Sequence, residues 1–195
     1  MRTAVIAIAI AGSVAALGAA GYIARTNHVP FVRRPVRYGG QLSTAGRLSP
    51  HESVSATIDG TDVKIVYGRP SMRGRKIFGS LVPYGRVWCP GADEATTLES
   101  SRVLRIGNLE IPAGPHTIWM LPEQRRWTFI VSEEPYGFHT AYSPSLDMGR
   151  APLRVKTLDS PVEQLTFAIE PRSPSGGTIA MRWEQTEVSV DFSVR

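Results

Sequence analysis

Beyond residue 48, apolar side chains recur at every second position in short runs that end at turn-forming residues. In "SVSATIDGTDVKIVYG" two such runs flank Asp59-Gly60, and Gly107-Asn108 divides "SRVLRIGNLEIPAG" in the same way. A period of two belongs to a β-strand, and such a pair between two runs is typical of a hairpin. The same period continues near the C-terminus, in Leu165/Phe167/Ile169, Ile179/Met181/Trp183 and Val188/Val190/Phe192.

No segment after residue 30 has a helical stripe, and 18 glycines and 15 prolines suit many strands joined by turns. We therefore predict an all-β domain over residues 49–195, with about eight to ten short strands. A β-sandwich of jelly-roll or Ig-like type is the expected architecture, and a barrel is the alternative. A chain of 195 residues, 42% of them apolar, can bury one such core and needs no second domain.

Residues 1–24 form a targeting segment, in which Arg2 is followed by the uncharged run "TAVIAIAIAGSVAALGAAGYIA". About 20 apolar residues are enough to cross a bilayer as a helix. The small residues Gly18-Ala19-Ala20 are typical of a signal-peptidase site. A cleaved signal peptide and an uncleaved membrane anchor both remain open, and either one predicts an N-terminal hydrophobic helix.

Residues 25–48 are predicted to be a basic linker, because they keep neither a strand nor a helix period. Arg25, Arg33, Arg34 and Arg37 supply much of the net charge of +5. By the positive-inside rule these arginines would hold the following domain on the cytoplasmic side. Aromatic and basic residues are not interleaved in the rest of the chain, so nucleic acid is not an expected partner.

One segment interrupts the strand pattern, "RPSMRGRKIFGSLVPYGRVWCPGADEATTL" at residues 69–98. An irregular connection longer than about 12–15 residues is usually a functional or packed loop. We expect its apolar side chains to pack on the strands and its charges either to anchor it or to face a ligand. Those apolar residues are Ile77, Phe78, Leu81, Val82, Tyr84 and Trp88.

The same segment, read from "GRPSMRGRKIFGSLVPYG" to "VWCPGADEAT", resembles the signature of the bacterial family catalogued as domain of unknown function 2911. The resemblance continues through "SPHESVSATIDG", "IPAGPHTIWMLPEQRRWTFIVS", "YGFHTAYSPSLDMGR", "VEQLTFAIE" and "MRWEQTEV". It covers about residues 49–190, which is essentially the whole predicted domain.

Members of that family resemble one another as exported or lipid-anchored β-rich proteins without an established activity. The resemblance therefore implies an extracytoplasmic domain despite the arginines after the leader. The domain would be periplasmic or secreted, and held at the inner membrane if the leader stays uncleaved. Three positions depart from the pattern. Cys89 stands where Arg is usual, Asp93 where Asn is usual, and His116 where Tyr is common.

The loop contains five candidate ligand-binding residues, Arg73, Arg75, Lys76, Asp93 and Glu94. Guanidinium groups beside glycines can hold a carboxylate or phosphate. The simpler interpretation is that Arg73 and Arg75 pair with carboxylates such as Asp93, Glu94 or Asp147 and fasten the loop. Asp93 and Glu94 are neighbours, whose side chains point to opposite sides of an extended backbone, so they make a poor acid/base pair with each other.

Metal, cofactor and nucleophile signatures are weak in this sequence. Neither H-x-H nor C-x-x-C spacing occurs, so no metal and no cofactor is expected. His51 is the histidine nearest to a recognisable motif, "SPHES", with a role in a turn as the simpler interpretation. Cys89 has no neighbouring histidine and is expected to be a small buried apolar residue.

Two functions follow from these residues. The first is a binding or interaction module of the cell envelope, with loop 69–98 forming a polar groove for a small anionic ligand or for an envelope protein. The second is a hydrolase or isomerase of a small polar or anionic substrate, with Glu94 or Asp93 as acid/base, His51 nearby and Arg75 holding the anion. The membrane is a further partner if the leader stays uncleaved.

Overall fold

A computed structural model describes residues 49–173 and 175–195. The predicted leader at 1–24, its helix and the basic linker at 25–48 lie outside the described residues. Within the described part of the chain, no helix has the length and apolar character needed to cross a membrane.

The described chain consists of β-strands, with one short 3-10 helix at Pro144–Leu146. All strand pairs are antiparallel, and the hydrogen-bonded order is β1-β2-β3-β6-β7-β8-β9-β4-β5. The strands are β1 His51–Ile58, β2 Thr61–Gly68, β3 Thr97–Ser100, β4 Leu104–Ile106, β5 Leu109–Ile111, β6 Gly114–Pro122, β7 Trp127–Ser132, β8 Asp147–Ser173 and β9 Gly176–Val194.

The all-β prediction, the strand count and the turns are confirmed. Asp59-Gly60 joins β1 to β2, and both residues have the positive φ that this tight turn requires. Gly107-Asn108 joins β4 to β5. The division of the strands into the two layers of a jelly-roll or Ig-like sandwich stays a prediction.

The C-terminal strands are longer than the sequence indicates. The run Leu165/Phe167/Ile169 is part of β8, which has 27 residues. The runs Ile179/Met181/Trp183 and Val188/Val190/Phe192 belong to one strand, β9, which has 19. The first part of β8 pairs with β7 and the rest with β9, whose last residues pair with β4. Three shifts of register interrupt the β8–β9 pairing, after Thr157, Val162 and Pro171. Such bulges let one strand bend without losing its partner.

One hydrophobic core gathers the alternating residues of most strands. The predicted inward-facing residues of β8 and β9 are all buried, with Leu165 and Met181 fully so. Tyr67 of β2 contacts Phe167 of β8 edge to face, with ring centroids 5.0 Å apart. A second, smaller cluster forms where Cys89, Ala95, Trp119 and Ile130 pack together.

The long loop is confirmed, and it runs from Arg69 to Thr96 between β2 and β3. Ile77, Phe78 and Val82 are buried in the main core, so each contributes about 1.5–3 kcal/mol of burial free energy. Trp88 packs against the same core while partly exposed. The expectation that the other two apolar residues pack was wrong, because Leu81 is 47% and Tyr84 40% exposed.

The two ends of the loop meet at Gly68, the last residue of β2. A Cβ atom on Gly68 would lie 2.0 Å from the backbone oxygen of Ala92. Only glycine therefore allows the returning loop to pass this close to the strand.

We expect Gly68→Ala to lower the free energy of unfolding by about 3 kcal/mol or more, because a backbone oxygen cannot rotate away from the new methyl group. Gly60→Ala is the control, since no atom lies within 4 Å of its Cβ position and only its positive φ adds strain. It should cost about 1 kcal/mol. Urea unfolding of both variants gives the comparison, and equal losses would contradict the close approach.

Candidate functional site

The loop encloses an open cavity of about 400 Å³ against β9. We call this cavity the loop groove. Its lining joins residues far apart in sequence, among them Ser71, Arg73, Arg75, Leu81, Trp88, Asp93, His139 and Trp183.

Three of the five predicted ligand-binding residues line the loop groove, namely Arg73, Arg75 and Asp93. Lys76 is exposed on the same loop but is not part of the lining. Glu94 is buried, only 8% exposed, and is not part of the lining either. The groove therefore has two cations and one anion along its walls.

Arg75 is held in place by the backbone of its own loop. Its Nε donates to the carbonyl oxygen of Met72 at 2.9 Å, and its Nη2 donates to that of Ser71 at 2.8 Å. These bonds use two of the five N–H groups of the guanidinium. Arg75 is thus positioned by carbonyl groups instead of the carboxylate pairs that we expected, and its charge stays at the groove wall.

The carboxylates that fasten the loop come from β8 and β9, and they bind backbone amides. Glu163 accepts from the backbone N–H of Arg73 at 2.9 Å. Glu184 accepts from Ile77 at 3.4 Å and from Phe78 at 3.1 Å. These bonds hold the backbone of the basic segment against β8 and β9, and they do not depend on the conformations of its own side chains.

Asp147 was expected to pair with a loop arginine, and this was wrong. Its Oδ2 accepts from Arg150 Nη2 at 2.6 Å and from the hydroxyl of Tyr142 at 2.9 Å. The pKa of Tyr142 is raised, first by burial and then by this hydrogen bond. Asp147 therefore stabilises the segment before β8 and does not reach the loop.

His51 and Glu94 form a pair outside the loop groove. His51 Nδ1 lies 3.5 Å from Glu94 Oε2, and the two side chains are 21% and 10% exposed. Glu94 also bridges Phe138 through the backbone. Of the three candidate catalytic residues, only Asp93 is therefore present in the groove.

His139 also lines the groove, although it was not among the predicted site residues. Its Nδ1 and its backbone N–H both contact the carbonyl oxygen of Asp93, the latter at 3.2 Å. A carbonyl oxygen only accepts, so Nδ1 carries the proton and Nε2 of the neutral ring is an acceptor. The contact between His139 and Asp93 could not be predicted from the sequence, because 46 residues separate them and no spacing motif connects them.

Two tryptophan rings belong to the apolar part of the groove, together with Pro70, Leu81 and Val82. Trp88 and Trp183 are nearly parallel, with centroids 6.0 Å apart and 16° between their planes. Trp88 exchanges two 2.8 Å backbone hydrogen bonds with Met120 of β6, so this loop residue is held like a strand residue. The indole N–H of Trp183 donates to the carbonyl oxygen of Glu163 at 3.2 Å. Trp88, which was expected to pack on the strands, therefore also lines the groove, and so does Trp183.

Cys89 is 1% exposed, as expected for a small apolar residue. Burial raises the pKa of its thiol to about 12. Among residues 49–173 and 175–195, no three side chains of the His, Cys, Asp and Glu types come together as metal ligands would.

The whole lining, from Ser49 to Trp183, falls inside one family match. The family model described as "Protein of unknown function (DUF2911)" matches residues 49–192. The chain belongs to the DUF2911 family. The resemblance read from the loop motif is thereby confirmed. No curated protein and no solved structure matches the chain.

We expect Glu184→Ala to detach the loop, because the amides of Ile77 and Phe78 lose their acceptor. Loss of such partners costs about 1–3 kcal/mol. Glu184→Gln keeps one acceptor oxygen, so it should lower the free energy of unfolding less than Glu184→Ala. The positive φ of 53° at this position is common to both variants and does not affect the comparison. Trypsin cleavage at Arg73, Arg75 and Lys76 would report the release, and equal cleavage rates in both variants and the parent would contradict the anchor. Glu123→Ala in the exposed β6–β7 turn is the neutral control.

We expect Cys89 to be unreactive toward an aromatic disulfide reagent in the native protein at pH 8, since the thiol is buried and protonated there. Reaction should become fast in urea above the unfolding midpoint. Fast labelling without denaturant would show that the loop opens over Cys89.

Proposed function

We propose that this DUF2911 protein is a binding module of the cell envelope that holds a small anionic ligand in the loop groove. The observation that carries this proposal is that Arg73 and Arg75, both on one anchored loop, line the same cavity of about 400 Å³. Small-molecule pockets typically have about 300–1,000 Å³, so the size fits a metabolite better than a polymer.

Preorganisation supports the proposal further. A binding arginine that must be ordered by its ligand loses affinity, because immobilising a flexible side chain costs free energy. Arg75 is already ordered through Met72 and Ser71. Both arginines are exposed, so their attraction for an anion should weaken with added salt.

The alternative function is a hydrolase or isomerase that uses a carboxylate acid/base. Asp93 is the remaining candidate at the groove, since Glu94 pairs with His51 outside it. A general base must reach the proton that it removes, which disfavours Glu94. We therefore favour binding over catalysis.

We also propose an extracytoplasmic location and a sandwich architecture. The apolar leader and the family resemblance support the location. The sandwich is supported by the contact of Tyr67 with Phe167, and by Ile58 of β1, whose Cδ1 lies 2.9 Å from the Cβ position of Gly177 in β9. Strands distant in the hydrogen-bonded order thus face each other.

The test is a thermal unfolding screen of the protein, purified in mild detergent, against carboxylates and phosphates on varied scaffolds. At 100 times its dissociation constant a ligand stabilises by about 2.7 kcal/mol. We expect a hit that is lost in Arg75→Gln and in Arg73→Gln. Arg125→Gln in the exposed β6–β7 turn is the matched control and should keep it.

A flat screen, with the arginine variants as stable as the parent, would contradict a binding groove. Turnover is tested by incubating each hit with the protein and following the compound by NMR. A product that disappears with Asp93→Asn, while the thermal shift remains, would favour the enzyme.

A further inference from the structure

We infer that the ligand is an acidic sugar, a hydroxylated ring that carries a carboxylate or phosphate group. The inference rests on the proposed anion-binding function. It adds the chemical groups that a ligand needs in order to contact the other walls of the loop groove. These walls are formed by Asp93 and His139 on one part and by Trp88 on another.

The carboxylate of Asp93 disfavours a ligand that is only an anion. An ionised carboxylate accepts hydrogen bonds and repels negative charge. A ligand that meets the arginines with its charge must therefore bring donors to Asp93. Hydroxyl groups are such donors and add no charge of their own.

His139 requires the same kind of donor. Because its Nδ1 donates to the carbonyl oxygen of Asp93, Nε2 is an acceptor while the ring is neutral. The charged groups in the lining are Asp93, Arg73 and Arg75, and Glu94 lies outside it. An acceptor beside a carboxylate suits a molecule with several hydroxyls.

Trp88 adds a preference for a ring. Paired hydrogen bonds with Met120 hold its backbone, and its ring packs against Trp183 and Phe78, so its indole is an apolar surface of fixed position in the groove. A centroid separation of 6.0 Å from Trp183 leaves no room for a group between the two indoles, since carbon atoms pack at about 3.5–4.0 Å on each side. The ligand therefore contacts the accessible part of Trp88, where the C–H face of a sugar ring can rest.

Each simpler ligand leaves one wall without a partner. A neutral sugar leaves the arginines unused, and a cyclic carboxylate without hydroxyls leaves Asp93 and His139 without donors. An acyclic zwitterionic amino acid such as glutamate satisfies both charges and lacks the ring for Trp88. Among these classes, the acidic sugar is the one that matches all three walls.

The test is isothermal titration of the detergent-purified protein with six probes. They are glucuronate, glucose 6-phosphate, glucose, cyclohexanecarboxylate, glutamate and inorganic phosphate. We expect glucuronate or glucose 6-phosphate to bind at least about tenfold more tightly than each of the other four, which corresponds to one lost set of contacts.

Two variants separate the ring contact from the folding of the loop. Trp88→Leu should weaken the acidic sugar about tenfold, whereas Trp88→Phe, which keeps an aromatic face, should restore most of the affinity. Near-UV circular dichroism checks that both variants are folded. A folded Trp88→Leu variant with unchanged affinity would overturn the inference.

The outcomes also distinguish this inference from the proposed function. If cyclohexanecarboxylate or phosphate binds as tightly as the acidic sugars and depends on Arg75, the anion site stands and the sugar is wrong. If glutamate binds most tightly, the ligand is a zwitterion and the sugar is again wrong. If no probe binds, and the wider anion screen is flat as well, both proposals fail.

Discussion

The ring of Phe78 meets three tryptophan rings edge to face, and the position of the long loop depends on these contacts. Its centroid lies 4.8 Å from that of Trp127, 6.0 Å from Trp88 and 6.1 Å from Trp183. Trp127 belongs to β7 and Trp183 to β9, so one loop residue contacts two strands that do not pair with each other. Edge-to-face aromatic pairs add directional preference to burial, which fixes the loop in one orientation.

The groove follows from this fixed orientation. Once Phe78 is inserted, its backbone N–H and that of Ile77 reach Glu184, and the basic turn before them is held above β8 and β9. Arg73 and Arg75 then line a cavity, because Glu163 and Glu184 hold the backbone of their segment against β8 and β9. A groove built in this way is shaped by the core of the domain.

The fold could be predicted from the sequence where local patterns determine it. Strand faces follow from the period of two, and the Asp59-Gly60 turn follows from backbones that must take positive φ. The merging of the C-terminal runs into β8 and β9 could not be predicted. Bulges interrupt the alternation without ending the pairing, so the sequence there looks like separate strands.

For the candidate site, Arg73, Arg75 and Asp93 could be found from the composition of one loop. Asp93 and Glu94 do separate as expected, but the reason differs from the alternation of an extended strand, because the backbone at Asp93 is left-handed with φ 66°. The contributions of His139 and Glu184 depend on long-range contacts. Glu184 accepts hydrogen bonds from backbone N–H groups, which nearly every residue type carries, so the loop sequence does not indicate where such a carboxylate binds. The site was therefore predictable only as far as one segment contains it.

The anchors of the loop have a consequence for how the protein is made. Glu184 lies 107 residues after Ile77, and Glu163 lies 90 residues after Arg73. A chain that is synthesised from its N-terminus completes the loop long before these partners exist. The basic segment therefore lacks these partners, and is accessible to proteases, until β8 and β9 have been synthesised and have paired. Contacts of such long sequence separation also form slowly. The final structure of the groove is thus among the last features of this protein to appear.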